Sequence, residues 1–558
     1  MSKESSDEFR EALPLLALLA LTALAYANGM TGGFIFDDRL LAQHAWAWKP
    51  ISQWGWGLPN PMGHAAQRPI VTAAFYLDYF LFDKHPTGYH VINLILQMVN
   101  VWLCWLLAIR LGLTRRAAWI VAAVFAFHPV QTESVVYISG RRDLLLGFFY
   151  LTTFLLYLKY REEKPLWWQI TLPIYFFVGM NAKESIFTLP GLFLLYEALL
   201  AKNPWRDPPE SQGVDSPWRR IWRGFTEYKV MYALIFALGV PLLIHRSFIS
   251  THLGYDPTGN LIGGTLGTHT MTALRAQVIL LWRLIFPLHL LADYSMKSIA
   301  ISSGWGDPLG WGAMAVIVAL IGSIFWNLSR RPWVAFALSI IVLGLLPTAQ
   351  IIRHREVTAE HYLYLPCIGF GMLLAMADAR LRASKVQNSA TVAMIALTVL
   401  FSLYVVRCWA RNPSYDSPMT FWSTVERDSP QSARAQINLG AHESLTGQYG
   451  GAELLKRFER AQEYDPNNAG GYANAGLIYK SFGKNEKAIK LFQRALEIEP
   501  RNPDYKVDLA RLLYDSGRLT EAWEQLEWVR VNVPGHERMQ ALRREILLKQ
   551  AMEARAKS

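Results

Sequence analysis

The sequence predicts an all-α protein with two parts, a polytopic membrane domain followed by a domain of helical repeats. The first observation is composition: the 558 residues are 52% hydrophobic and only 18% charged. The second is that apolar residues gather in segments of about 16–21 residues, the length that a helix needs to cross a bilayer. The third is a periodic tail in which Pro466, Pro500 and Pro534 are 34 residues apart. This pattern excludes an ordinary soluble enzyme and a disordered chain.

Charge and cysteine content exclude two further classes. The net charge is +11, but the basic clusters lie between apolar segments, where they set membrane topology. We therefore expect no nucleic-acid partner. Cys104, Cys367 and Cys408 lie in or beside apolar segments and form neither a disulfide framework nor a metal-ligand spacing.

The apolar segments predict about eleven membrane spans. They lie near 12–30, 90–110, 116–128, 144–159, 166–181, 185–201, 229–245, 311–327, 333–348, 363–379 and 389–407. The Arg- and Lys-rich stretches are predicted to be cytoplasmic, together with the N-terminus; they are 115–116, 159–164, 202–229, 330–331 and 380–385. The other loops, and everything after about 408, are then predicted to lie outside.

One apolar segment, 271–291, is interrupted by Arg275, Arg283 and Pro287. If this segment crossed the membrane, the later basic loops would face outward, against the positive-inside rule. We therefore interpret it as an external amphipathic or re-entrant helix.

The tail has the pattern of tetratricopeptide repeats (TPRs). Within 469–502 the matching positions are Gly476, Tyr479, Ala488, Phe492, Ala495 and Pro500. Flanking repeats are predicted at 433–468 and 503–536, so the chain divides into a membrane domain at 1–408, a linker at 409–432 and a TPR domain at 433–558. Such repeats leave a concave face that can hold an extended peptide, although they can also act only as a scaffold.

Asp37 and Asp38 form an acidic pair directly after the first apolar segment. Carboxylates at a membrane boundary are costly to keep near hydrocarbon and are therefore candidates for a functional site. Such a pair can take a proton from an acceptor hydroxyl or ligate a cation that neutralises a phosphate. The alternative is a solvated pair that only ends the helix.

Further polar residues fall in the predicted external loops or at the outer ends of spans. With the acidic pair, the set is Asp37, Asp38, Arg68, His90, Asn93, His128, Glu133, Arg141, Asp143, Lys183, Glu184, Arg353, Arg355, Glu360, Tyr362 and Tyr364. A mixture of both charge signs fits a cavity for an anionic lipid headgroup. Lys183 lies in a very short turn between two spans, where an isolated cation is expected to bind an anion. The alternative for each residue is a helix cap or a side chain that reaches to the interface.

Six sequence patches carry a resemblance to a known family. They are FIFDDRLL (34–41), QRPIVTAAFYLDY (67–79), YHVINLILQ (89–97), FHPVQTESVVYISGRRDLL (127–145), AKES (182–185) and AEHYLYLP (359–366), with LIFPLHLLADYS (284–295) as a weaker seventh. In this order, and followed by TPRs, they resemble the transmembrane-and-TPR O-mannosyltransferases, within the GT-C glycosyltransferases that use polyprenyl phosphates. The chain looks like a bacterial-type relative.

The resemblance implies a GT-C-type membrane domain and an extracytoplasmic TPR α-solenoid. It implies transfer of a sugar, with inversion, from a polyprenyl-phosphate donor to Ser or Thr of exported protein at the outer face of a bacterial inner membrane, with the TPRs binding the acceptor. Asp37 or Asp38 would be the general base, with Asp38 preferred. Lys183, with Arg141 or Arg68, would hold the donor phosphate. The other residues of the set, apart from Arg353 and Arg355, are predicted to contact the donor phosphate or sugar.

The sequence also departs from the family. The family's late Glu-Arg pair appears as Glu360-His361, which loses a fixed cation, and only about three TPRs are present. Asp37 and Asp38 could ligate a divalent cation such as Mg²⁺ or Mn²⁺, but no further ligand cluster is diagnostic. Two alternative functions remain open: the same chemistry on a lipid or polysaccharide acceptor, and a membrane scaffold for a secretion or assembly complex.

Overall fold

The computed structural model describes residues 3–38, 68–163, 165–201, 216–252, 261–294, 299–351, 356–447 and 449–557. Within them the fold is all-helical, which confirms the predicted fold class. The chain divides into two compact units, Met1–Tyr294 with Ile301–Phe421, and Ser295–Ala300 with Trp422–Ser558. The boundary between Phe421 and Trp422 lies inside the predicted linker at 409–432.

The described part of the first unit contains sixteen α-helices, the last shared with the second unit, and their bounds follow from local signals. They are Lys3–Tyr26, Pro69–Phe82, Pro86–Leu111, Arg115–Phe127, Gln131–Val136, Arg141–Glu163, Trp168–Met180, Leu189–Leu199, Pro217–Glu227, Lys229–His252, Leu266–Ile285, Pro308–Asn327, Pro332–Leu345, Pro366–Arg382, Ser389–Arg411 and the start of Pro418–Asp428. Many begin with proline in the first turn, where its missing N–H costs no hydrogen bond. Gly112, at φ 102°, ends one helix in a conformation that favours glycine.

Several helices are apolar enough to cross a membrane. Among the described residues, five are both long enough and apolar enough: Pro86–Leu111, Ile138–Arg161, Lys229–Arg246, Pro308–Asn327 and Ser389–Tyr415. Four shorter apolar helices accompany them: Leu13–Gly29, Pro69–Phe82, Trp168–Met180 and Pro332–Thr348. The count of eleven spans therefore stays a prediction. So does the re-entrant assignment of 271–291, most of which lies in the helix Leu266–Ile285.

The core of the first unit lies around the helix Arg115–Phe127. This helix packs against Pro86–Leu111 and Pro366–Arg382, and from Ile120 to Phe127 every residue is buried. Close approach depends on a small residue, because a Cβ at Gly371 would lie 2.9 Å from the Val121 Cα atom.

The second unit is a stack of helix pairs, as the 34-residue period predicts. The pairs are Ala433–Thr446 with Gly451–Tyr464, Ala469–Ser481 with Asn485–Ile498, and Pro503–Asp515 with Leu519–Asn532, followed by Glu537–Lys557. Gly483 and Gly517 occupy the turns inside two pairs at φ 70° and 79°. Ala488, Phe492 and Ala522 are fully buried between helices, so the periodic residues form the core of the stack.

Candidate functional site

The two aspartates of the acidic pair have different surroundings. Asp38 is fully buried, and its carboxylate accepts hydrogen bonds from the Ser139 N–H at 2.8 Å, the Ser139 hydroxyl at 2.5 Å and the Ile35 N–H at 3.2 Å. Burial raises the pKa of Asp38 to about 8, although these hydrogen bonds favour the ionised form. Asp38 therefore joins the turn at 35–38 to the segment at 139.

Asp37 is exposed on the same turn. Its backbone N–H donates to the Tyr137 hydroxyl at 3.1 Å, which fixes the main chain and leaves the side chain to solvent. The preceding residue, Phe36, has φ 43°, an unfavourable conformation for a bulky residue. This strained turn presents one carboxylate outward while it buries the other.

Lys183 lies in a second group of charged residues. It is 6% exposed, its ammonium group contacts the Asp143 carboxylate, and it lies 6.0 Å from the centre of the Tyr362 ring. Burial lowers the pKa of Lys183, and the Asp143 charge opposes that effect. On the other side, Arg142 Nε lies 3.6 Å from Asp143 Oδ2. Arg142 also interacts electrostatically with Asp37, which connects this group to the acidic turn.

Glu184 extends the group through two further arginines. Its carboxylate lies 2.9 Å from Arg68 NH2 and 3.3 Å from Arg246 NH1. Burial opposes ionisation of Glu184, but Arg68 and Arg246 outweigh it and lower the pKa of this carboxyl to about 2. Glu184 is therefore a fixed anion between two fixed cations.

Glu133 and His361 form a further charged pair. His361 Nδ1 lies 2.6 Å from Glu133 Oε1, and the His361 backbone N–H donates to Glu133 Oε2 at 3.1 Å. Burial opposes ionisation of Glu133, but the charges of His361 and Arg142 lower the pKa of the carboxyl. The imidazole also interacts electrostatically with Asp143.

Together these residues form what we call the charged cluster: Arg68, Glu133, Arg142, Asp143, Lys183, Glu184, Arg246, His361 and Tyr362. Within the described part of the chain, three of its buried atoms have no hydrogen-bond partner, namely Arg142 Nε, Asp143 Oδ2 and Arg246 NH2. Unpaired guanidinium N–H groups in a buried position are costly. A phosphate oxygen would be a suitable acceptor for them.

Three residues predicted for the site, Arg141, Asn93 and His90, lie outside the charged cluster. Arg141 is 1% exposed; it lies 2.7 Å from the Asp78 carboxylate, donates to Tyr89 O at 3.0 Å and contacts the Asn93 side chain. Asn93 in turn donates to the Tyr137 carbonyl at 3.1 Å. His90 Nε2 lies 3.1 Å from the Gly32 carbonyl. His90 thus contacts the main chain just before the acidic turn, and Asn93 contacts the main chain at Tyr137, whose hydroxyl accepts from Asp37 N–H.

The remaining predicted residues lie in other buried contacts. His128 Nε2 lies 2.9 Å from the Leu284 carbonyl. The Tyr364 hydroxyl donates to Gln97 Oε1 at 2.6 Å. Glu360 lies 2.6 Å from Arg411 and accepts from the Tyr294 hydroxyl at 2.6 Å; burial raises the pKa of Glu360, and Arg411 opposes this. Arg353 and Arg355 lie outside the described residues.

Sequence reasoning missed four contributors: Asp78, Arg142, Arg246 and His361. Arg142 was visible beside Arg141, but spacing does not tell which of two adjacent residues faces a cavity. Arg246 ends an apolar helix, and an arginine there is a usable signal because charge is costly in a membrane segment. Nothing in the sequence pairs Asp78 with a residue 63 positions later.

A divalent cation does not fit the acidic pair as the structure arranges it. The Asp38 oxygens already accept hydrogen bonds from Ser139 and Ile35, so a metal would have to displace N–H and O–H donors. Within the described ranges, no group of three or more His, Cys, Asp or Glu side chains is arranged to hold a metal. We therefore derive no step through a metal.

Comparison with known proteins identifies relatives for both parts of the chain. It is 24% identical to protein O-mannosyl-transferase TMTC3 of Mus musculus, in an alignment of 580 positions that covers 97% of its length. It is 25% identical to TMTC4 of Homo sapiens over 76% of its length, and 25% identical to Tmtc1 of Drosophila melanogaster over 78%. These matches cover 62%, 63% and 60% of the relatives' own lengths, so the chain spans less than two thirds of the curated relatives.

A family model of the tetratricopeptide repeat matches residues 479–546. These findings support the predicted resemblance to O-mannosyltransferases with TPRs, whereas the GT-C assignment and the bacterial type stay predictions. The chain is thus similar along nearly its whole length to proteins named protein O-mannosyl-transferase, and its tail matches the tetratricopeptide repeat.

Proposed function

We propose that this protein is a membrane glycosyltransferase that moves a sugar from a polyprenyl-phosphate donor to Ser or Thr hydroxyls of a protein. The observation that carries the proposal is the charged cluster, in which Arg142 Nε and Arg246 NH2 are buried without a hydrogen-bond partner and Arg142 interacts electrostatically with Asp37 of the acidic turn. The named relatives make mannose the first sugar to test.

The cluster suits the phosphate of the donor. Lys183, Arg142 and Arg246 come from three different elements, and their charges are only partly balanced by Asp143 and Glu184. A phosphate could accept hydrogen bonds from Arg142 Nε and Arg246 NH2. Neither atom makes a hydrogen bond to a described residue, since the nearest carboxylate oxygen of Asp143 lies 3.6 Å from Arg142 Nε. Because a departing phosphate needs charge stabilisation more than a proton, fixed cations suffice on the leaving-group side.

The acidic turn suits the acceptor side. We assign the general base to Asp37 rather than Asp38, because Asp37 is exposed whereas both Asp38 oxygens already accept hydrogen bonds. The hydroxyl oxygen of the acceptor attacks the anomeric carbon while Asp37 takes the hydroxyl proton. The bond from that carbon to the phosphate oxygen breaks on the opposite face, polyprenyl phosphate leaves, and the configuration inverts. Asp38 positions the turn through Ser139.

The TPR unit supplies a place for the acceptor. In this proposal its concave face holds an extended segment of the acceptor protein. The N-terminus lies in the cytoplasm and the repeats lie on the outer side of a bacterial inner membrane, as the loop charges predict.

The test is transfer by the full-length protein in proteoliposomes, with labelled mannosyl-phosphoryl-polyprenol and a Ser/Thr-containing acceptor protein. Label should appear on the acceptor and be lost in Lys183→Ala. The matched control is Lys385→Ala, which removes an exposed lysine from the first unit, in a stretch predicted to be cytoplasmic, and should transfer normally. Label on lipid instead of protein would favour the other acceptor class. No transfer of mannose or other sugars from any polyprenyl-phosphate donor would contradict the proposal.

A further inference from the structure

The helix Pro217–Glu227 has an aromatic face that the proposed function does not use. Trp218, Trp222 and Phe225 recur at spacings of four and three residues, so they lie on one side of the helix. Their side chains are 62%, 68% and 38% exposed. Tryptophan is enriched where a protein surface meets the headgroup level of a bilayer.

Two arginines lie on a different side of this helix. Arg219 and Arg223 are four residues apart and exposed, and helical geometry places them more than a quarter turn from the centre of the aromatic face. A third side is held by protein: Gly224 is buried, and a Cβ there would lie 3.0 Å from Glu197. An aromatic stripe beside a basic one is typical of a helix that lies in the plane of a membrane surface.

The aromatic face continues the surface of a candidate membrane span. The Trp218 ring stacks on Phe325, with 6.4 Å between ring centres and 28° between planes. Phe325 is 55% exposed near the end of Pro308–Asn327. Next to it, the Arg330 guanidinium lies 3.5 Å from the centre of the Trp326 ring. Aromatic and basic side chains therefore meet at the level where this span ends.

We propose that Pro217–Glu227 lies in the membrane–water interface and that Arg219 and Arg223 bind the phosphate groups of anionic phospholipids. The aromatic face would insert among the acyl chains that cover the span beside it. The two guanidinium groups would then lie at headgroup depth, where they match negative charge. This occupant accounts for both stripes, and it does not depend on the proposed catalytic function.

Spin labels measure the depth of the helix. The full-length protein would carry a label at Trp222→Cys or Glu227→Cys in nanodiscs, and the parent protein gives the background because its three cysteines are buried. The label at 222 should be more accessible to oxygen than to a water-soluble nickel chelate, and the label at 227 should behave oppositely. Equal aqueous accessibility at both sites, or a label at 222 shielded from both reagents by a protein contact, would overturn the proposal.

Lipid retention tests the arginines. The protein would be purified from membranes containing phosphatidylglycerol, and the retained lipid would be measured by mass spectrometry. The double variant Arg219→Gln/Arg223→Gln should weaken phosphatidylglycerol binding roughly 25-fold, a factor of about five for each arginine. The control Arg543→Gln/Arg544→Gln makes the same charge change on the second unit and should retain lipid like the parent. Equal retention by the two double variants would refute headgroup binding.

Discussion

The contact between Arg141 and Asp78 is predicted to stabilise the fold rather than bind the donor. Their side chains are 1% and 2% exposed and lie 2.7 Å apart. Removing one partner from such a pair leaves a buried charge uncompensated, which typically costs about 3–5 kcal/mol. Asp78→Leu should lie near the low end, because Arg141 keeps the Tyr89 carbonyl and Asn93. Arg141→Met should lie near the high end, because it leaves the buried Asp78 carboxylate without its cation and the Asn93 side-chain oxygen without this donor.

The double variant Asp78→Leu/Arg141→Met separates this role from phosphate binding. Replacing a whole buried ion pair by apolar residues is often close to neutral, so the double variant should recover most of the lost stability. The assay is the free energy of unfolding by a denaturing detergent, with donor affinity measured on the same samples. The reasoning is refuted if Arg141→Met weakens donor binding at unchanged stability and the double variant does not recover.

Three further outcomes are expected. Lys183→Ala should weaken donor binding by about 1.5–3 kcal/mol through loss of a charge-assisted contact, while Lys183→Arg keeps part of the activity; unchanged donor affinity and turnover in Lys183→Ala would remove Lys183 from the site. The pKa of Asp38 is about 8 in the folded protein against 3.8 ordinarily. Between these pH values the folded state holds a proton that the unfolded state has lost. This residue therefore makes the free energy of unfolding fall by up to about 1.4 kcal/mol per pH unit as the pH rises through that window. Asp38→Asn should remove that slope in thermal unfolding, and an unchanged slope would contradict the argument. Deleting 433–558 should leave donor binding intact and reduce transfer to protein, and equal transfer by the truncated chain would make the repeats a scaffold only.

Much of the fold could be predicted because it depends on periodicity. The 34-residue spacing predicts the repeat stack directly. Residues of that pattern, such as Ala488 and Phe492, are buried in its core. The apolar segments predict the membrane part in kind, but not its number of spans, because several helices are short or carry charge. Length and hydropathy are properties of each segment by itself, so predictions that rest on them do not depend on how distant residues pack.

The site was predictable in part, for a physical reason. Lys183 and Asp143 come together as the grouping of outer loops suggested. Which of two adjacent residues belongs to the charged cluster was not predictable: Arg142 lies beside Asp143 in the cluster whereas Arg141 pairs with Asp78, and Asp37 rather than Asp38 is exposed. Successive helical residues point about 100° apart, and only long-range packing decides between them.

Single-turnover transfer with labelled donor lipid by Asp37→Asn tests the central claim most directly. The amide keeps the size of the side chain and removes the charge, so turnover should fall by roughly 10²–10⁴ with little change in donor affinity. Asp38→Asn should be milder, and Asp428→Asn, an exposed position in the predicted linker before the repeats, serves as a control for expression and handling. Full transfer activity in Asp37→Asn would contradict the mechanism.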